Sequence, residues 1–190
     1  MQSTLKQVVF LDRDGVINED RDDYVKSVDE LTVFSYAPEA IARLNDAGYI
    51  VAVVSNQQCI AKGLMKYEQL IDIQNEISKT VETAGGKITS FYYCTHLESA
   101  NCSCRKPKTG MLEQACKEHH LEPNRGFIVG DNEKDIIAGR TMGCRTVLVL
   151  SGMAILETAD AMTDPPDFVA DNLESAVDWI LSVNRSSRTE

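Results

Sequence analysis

Residues 8–15 read Val-Val-Phe-Leu-Asp-Arg-Asp-Gly, and no other stretch constrains the fold so tightly. A short unbroken apolar run has the pattern of a strand buried on both faces of a parallel sheet. A strand that ends in acid delivers that acid to the carboxyl edge of the sheet, where open α/β folds bind ligands. Asp12 and Asp14 stand one residue apart, and two carboxylates so close repel unless a cation or a shared proton relieves them. The spacing points to a divalent metal with one carboxylate left to attack a substrate. Asp and Gly are also common turn formers, so the motif alone fits a plain turn as well, and later segments decide between the two.

Three later segments supply the other chemistry. Tyr49-Ile-Val-Ala-Val-Val-Ser-Asn-Gln57 is a second apolar run that stops at polar residues, Ser55 and Asn56. Arg105-Lys106-Pro107-Lys108 is a basic cluster before a helical pattern. Phe127-Ile-Val-Gly-Asp131 is a third run ending in acid, followed by Asn132-Glu133-Lys134-Asp135. Together they offer paired carboxylates, a hydroxyl, a cation and further carboxylates, the inventory needed to move a phosphoryl group onto a carboxylate.

The alternation of apolar runs with amphipathic ones predicts a parallel α/β sheet. Strands are expected at 7–12, 49–55, 88–94, 127–131 and 145–150, with a short one near 167–170. Helices are expected at 37–47, 67–84, 109–120, 133–142 and 172–183. Pro38 suits a first helical turn, and Gly48 and Gly143 stand where helix C-terminal glycines belong. Residues 18–34 carry many charges without a helical period, which predicts a loop or small hairpin over the end of the first strand. No segment is long enough for a cap domain. The expectation is one domain over residues 1–190, with an open site shaped by loops and a polar tail from about 184 to 190.

Formal net charge is −10, which argues against a general nucleic-acid or anionic-membrane binder. It leaves room for a small anionic substrate, because local cations and a metal outweigh the global field. No apolar stretch approaches the ~18 residues of a membrane span, and the N-terminus has no signal-peptide core. The expectation is a cytoplasmic protein, with monomer as the default state and neither membrane nor nucleic acid as partner.

The four motifs, in this order, resemble the haloacid dehalogenase superfamily of phosphatases. The resemblance implies a Rossmann-like three-layer α/β sandwich with a mainly parallel sheet and no large cap. It also implies a mechanism that agrees with the residue chemistry. Asp12 is the nucleophile that forms an aspartyl-phosphate, and Asp14 the general acid and then base. Ser55 and Lys106 hold the non-bridging oxygens. Magnesium, which prefers oxygen ligands, is bound by Asp12, the backbone carbonyl of Asp14 and Asp131. Asp135 supports the metal shell or the loop. A catalytically inert relative kept for binding would lack Asp12, Asp14 or Lys106, and all three are present.

Residues 94–104 add a separate constellation, Cys-Thr-His-Leu-Glu-Ser-Ala-Asn-Cys-Ser-Cys. Three thiols and an imidazole, Cys94, His96, Cys102 and Cys104, suit a closed tetrahedral structural zinc site. In a chain expected in the cytoplasm, clustered cysteines favour metal over disulfide. The loop runs straight into Arg105 and Lys106, so a metal staple would hold two cations at the phosphate. Four protein ligands leave no open position, so this zinc would not be catalytic. Cys116 and Cys144 read as buried small hydrophobes. Cys59 lacks an activating partner in the sequence, and His119 and His120 suit the end of a helix.

With this loop included, the resemblance narrows to the related heptose-bisphosphate and histidinol-phosphate phosphatases. Ile17-Asn18, Tyr24-Val25-Lys26 and Gly110-Met111 lean towards the heptose group, which implies nucleotide-heptose and lipopolysaccharide-core precursor synthesis. The alternative is histidine biosynthesis. The resemblance makes Arg105 the grip on a second anionic group of the substrate. It makes Asp20, Tyr24, Asn56, Gln57 and Asn132 substrate-facing, Asn132 standing where heptose enzymes often carry lysine. Two departures fall in substrate-facing loops: Gln58-Cys59 replaces the usual Ser-Gly, and the acidic run Glu19-Asp20-Arg21-Asp22-Asp23 replaces a glycine before the tyrosine.

Overall fold

The computed structural model describes residues 6–154 and 156–186. Its centre is a six-stranded, all-parallel sheet in the order β3-β2-β1-β4-β5-β6. The strands are β1 (Val8–Leu11), β2 (Ile50–Asn56), β3 (Ser90–Cys94), β4 (Phe127–Gly130), β5 (Arg145–Val149) and β6 (Phe168–Ala170). All six expected strands are present, shortened by a residue or two at most ends. Val8, Val9, Phe10 and Leu11 are each wholly buried, which is why β1 reads as an unbroken apolar run.

Side-chain alternation along the strands sorts them into two cores. Val9, Leu11, Val51, Val53 and Val129 face the layer formed by α1 (Ala37–Asp46), α2 (Tyr67–Thr83) and α6 (Leu173–Ser186). Val8, Phe10, Ala52, Val54 and Ile128 face the layer formed by α3 (Gly110–His119) and α4 (Glu133–Thr141). In α2 the buried residues are Leu70, Ile73, Ile77 and Val81, a single stripe at helical spacing. Pro38 lies in the first turn of α1, and Gly48 follows that helix with φ +91°. The expected sandwich is therefore present. A short helix, α5 (Leu156–Ala161), had no counterpart among the expected elements. The last helix runs to Ser186, so the polar tail starts later than expected, and residues 187–190 lie outside the described residues.

Residues 18–34 form a small excursion over the end of β1. Asn18 bridges Val33 antiparallel, and the Glu19 N–H donates to the Thr32 carbonyl at 2.9 Å. Val25, almost fully buried, pins the excursion to the core.

The packing of α4 on the sheet is close. A Cβ on Gly139 would lie 2.1 Å from Ile128 Cγ2 and 3.0 Å from Thr146 Cγ2. Both neighbours are β-branched strand residues, stiff at χ1. Helix propensity alone would favour Gly139→Ala by ~1 kcal/mol, but overpacking costs ~1–3 kcal/mol. Urea unfolding of Gly139→Ala is expected to show a lowered midpoint, whereas a raised midpoint would contradict this contact.

Candidate active site

Going out from β1, strand order runs to β2 and β3 on one side and to β4, β5 and β6 on the other. The crevice between β1 and β4 is therefore the switch point at which open α/β sheets bind ligands. Asp12 follows β1 directly and its N–H donates to the Val129 carbonyl at 2.9 Å, and Asp131 follows β4. Ser55 and Asn56 close β2 at the same edge. The loop after β3 carries Arg105 and Lys106.

Three carboxylates and one ammonium meet at that crevice. Oxygens of Asp12, Asp131 and Asp135 lie within 4.8 Å of one another. Lys106, 2% exposed, places Nζ 3.1 Å from Asp12 Oδ2 and 2.5 Å from Asp135 Oδ1. Its alignment to both is poor for hydrogen bonding, so the contacts are mainly Coulombic. Burial alone would weaken the lysine's hold on its proton, but Asp12 and Asp135 outweigh it and raise the pKa. Asp135 also accepts the Asn132 N–H at 3.2 Å, closing the start of α4. One cation does not balance three acids. Burial, together with Asp12 and Asp135, pushes Asp131 up to about 8. A Cβ on Gly15 would lie 2.4 Å, and one on Gly152 2.1 Å, from Asp131 Oδ2, so two glycines clear the space around it. Gly15 also has φ +76°. An oxygen-rich, over-acidic cluster of this kind fits a divalent cation.

Asp14 points into a separate clamp. Arg13 is wholly buried and grips it with Nη2 at 2.7 and 2.9 Å and Nε at 3.1 Å. Asn18 Nδ2 donates to it at 2.9 Å and Gln57 Nε2 at 2.7 Å. Burial favours the neutral acid, yet the Arg13 charge and these hydrogen bonds outweigh burial and lower the pKa. Sequence reasoning assigned no role to Arg13. Its only signal was a charged residue inside a motif flanked by buried positions.

A cavity of about 360 Å³ opens over these groups. Of the sequence-predicted residues, Asp12, Asp14, Ser55, Lys106, Arg105 and Asp131 line it, as do Asp20, Tyr24, Asn56 and Asn132. Gln57 does not. It is 2% exposed and bonds to Asp14 and to Ser55 Oγ at 3.0 Å, so it acts behind the site. Asn56 reaches the cavity wall, but its amide exchanges two 3.1 Å bonds with the Lys106 backbone and so fixes that loop. Asn132 Oδ1 caps α4 by accepting the Lys134 N–H at 3.1 Å. The acidic run is partly neutralised within itself, Asp23 pairing with Arg21 and Lys26 at 3.1 and 2.8 Å. Asp20 and Asp22 face the cavity. Tyr24 adopts φ +67°, and its hydroxyl accepts from Lys62 Nζ at 2.6 Å and Gln58 Nε2 at 3.1 Å.

The cysteine loop folds into a second cluster. Sulfur–sulfur distances among Cys94, Cys102 and Cys104 are 3.4–3.6 Å, and His96 Nδ1 lies 3.3 Å from Cys104 and 3.7 Å from Cys94. A tetrahedron with ~2.3 Å metal–sulfur bonds has edges of about 3.8 Å, whereas a disulfide requires ~2.05 Å. The four residues can hold a metal ion.

The carboxylate cluster predicts a pH signature. The ordinary Asp value is 3.8, and folding lifts Asp131 to about 8. Between those values the unfolded chain binds fewer protons at this site, so the contribution of Asp131 to the stability of the metal-free protein falls as pH rises. A bound cation takes the place of that proton. The rise in Tm on adding magnesium is expected to be larger at pH 8 than at pH 5, and equal rises would contradict the coupling.

The HAD-hydrolase-like family model matches residues 103–176. The D-glycero-beta-D-manno-heptose-1,7-bisphosphate 7-phosphatase of Neisseria meningitidis serogroup A is 40% identical over 146 residues, covering 77% of this chain and 78% of that one. Its namesake from Pseudomonas aeruginosa is 39% identical over 150 residues, covering 79% and 84%. The solved D,D-heptose 1,7-bisphosphate phosphatase of B. bronchiseptica, complexed with magnesium and phosphate, superposes with a TM-score of 0.87 at 30% identity, covering 93% of this chain and 99% of that one. By sequence and by fold, this chain belongs to the haloacid-dehalogenase-like hydrolases, in the family of the heptose-1,7-bisphosphate 7-phosphatases.

Proposed function

We propose that this protein is a magnesium-dependent phosphatase that removes the 7-phosphate of D-glycero-D-manno-heptose 1,7-bisphosphate, serving nucleotide-heptose and lipopolysaccharide-core precursor synthesis in the cytoplasm. The observation that carries the proposal is the meeting of Asp12, Asp131, Asp135 and Lys106 at the β1–β4 crevice, beneath a cavity with room for a sugar phosphate.

Asp12 attacks phosphorus and forms an aspartyl-phosphate while the sugar oxygen departs. Asp14 gives that oxygen its proton and later takes one from the hydrolytic water. In the free protein the Arg13 fork holds Asp14 as a carboxylate, ready for the second role. An incoming phosphate ester opposes Arg13 and raises the proton affinity of Asp14 for the first. Ser55 and Lys106 hold the non-bridging oxygens. Asp12, Asp131 and the Asp14 carbonyl would hold magnesium, which supplies charge neutralisation between nucleophile and phosphate. Asp135 is occupied with Lys106 and the Asn132 N–H, so it steadies the cluster. Cys94, His96, Cys102 and Cys104 would hold zinc, which would fix the loop that carries Arg105 and Lys106.

Arg105 grips the distal 1-phosphate. Its Nε and Nη1 are shielded and have no protein partner, and a guanidinium suits a bidentate anion. That unspent capacity favours a bisphosphate over histidinol phosphate, whose far end is an amine. Phosphate release with magnesium on the two substrates tests the reading. A preference of ~100-fold or more in kcat/KM for the bisphosphate, about 2.7 kcal/mol of differential transition-state binding, is expected. The reverse preference would mean that Asp20 and Asp22 set specificity and that the protein serves histidine synthesis.

A further inference from the structure

Four cations line the cavity: Arg21, Arg105, Lys106 and Lys134. Their partners sort them. Lys106 is committed to Asp12 and Asp135. Arg21 Nε is hydrogen-bonded to Asp23 Oδ1 at 3.1 Å. Arg105 has two shielded nitrogens without a partner. Lys134 Nζ reaches Glu98 at 3.7 Å, too long for a hydrogen bond, and the two side chains are 41% and 75% exposed. An exposed pair of that kind stabilises very little, so the charge of Lys134 is free for a ligand. The backbone of Lys134 is nonetheless fixed, because it lies in the first turn of α4 and its N–H donates to Asn132 Oδ1 at 3.1 Å. That cap occupies the Asn132 amide oxygen.

We propose that Lys134 is a specificity-determining residue for the distal phosphate, which it holds jointly with Arg105. The guanidinium offers a planar fork from the loop after β3, and the ammonium offers a compact charge from the start of α4. Two cations match a phosphate dianion, and Glu98 is the partner that Lys134 leaves when the anion arrives. The assignment rests on the bisphosphate reading above.

The test compares heptose 1,7-bisphosphate with heptose 7-phosphate, using the unchanged enzyme, Lys134→Gln and Lys134→Arg. The Lys134 side chain is 41% exposed in the first turn of α4, so both variants should fold. Lys134→Gln is expected to raise KM for the bisphosphate about tenfold, the range of one charge-assisted hydrogen bond. Its kcat should stay within about twofold. The monophosphate should be affected far less, and Lys134→Arg should restore most of the bisphosphate KM. An unchanged enzyme with no preference for the bisphosphate would overturn the substrate reading and this assignment with it. A preference that survives Lys134→Gln, or an equal loss on both substrates, would overturn the assignment alone.

Discussion

Three carboxylates crowded around one buried ammonium set the terms for the rest of this structure. Asp12, Asp131 and Asp135 are delivered to one point by β1, β4 and α4, and Lys106 arrives from the loop after β3. Water screens charges in so enclosed a cluster only poorly, so their mutual repulsion is strong and their geometry has to be imposed. The parallel sheet imposes it. β1 and β4 are paired through Val9–Phe127, Phe10–Ile128 and Leu11–Val129, so the acids that follow them emerge side by side. Glycines at 15 and 152 leave the space around Asp131, and Gly130 leaves the space for Asp135, since a Cβ there would lie 2.3 Å from the Asp135 side chain.

The loops transmit this order outward. Asn56, at the end of β2, exchanges hydrogen bonds with the backbone of Lys106, 50 residues away. The cysteine and histidine cluster lies a few residues before the same lysine. The Asn56 bonds hold one side of a loop that would otherwise lose conformational entropy to present two cations, and a metal in the cluster would hold the other. Across the cavity, the 18–34 excursion is held by Gln58 and Lys62 through the Tyr24 hydroxyl and by Gln69 through the Lys26 carbonyl. The cavity thus has a cationic wall on rigid supports and an acidic wall on a loop. A phosphorylated polyol meets both needs, with anions for the cations and hydroxyl donors for Asp20 and Asp22.

Much of this was legible in the sequence because buried parallel strands are written as unbroken apolar runs, and each run here stops at the residue that reaches the crevice. Leu11 to Asp12, Val54 to Ser55 and Gly130 to Asp131 are all such steps. The cysteine cluster was legible because its ligands are local in sequence. What escaped depends on contacts between distant segments or on short elements. Helix α5 spans six residues, too few for a period to declare itself. Arg13 reads as an ordinary charge until the fold buries it against Asp14. Gln57 reads as facing substrate, yet its side chain turns inward to Asp14 and Ser55. The positive φ of Tyr24 has no marker in a residue type that rarely adopts it.

Whether Asp12 carries the phosphoryl group is decided by acid-quenched single turnover with radiolabelled substrate and magnesium. Transient label is expected on the peptide that contains Asp12, approaching one per chain when hydrolysis is slowed, and none in a folded Asp12→Asn variant that has lost turnover. Turnover without label on the protein, or activity retained in Asp12→Asn, would contradict that role for Asp12.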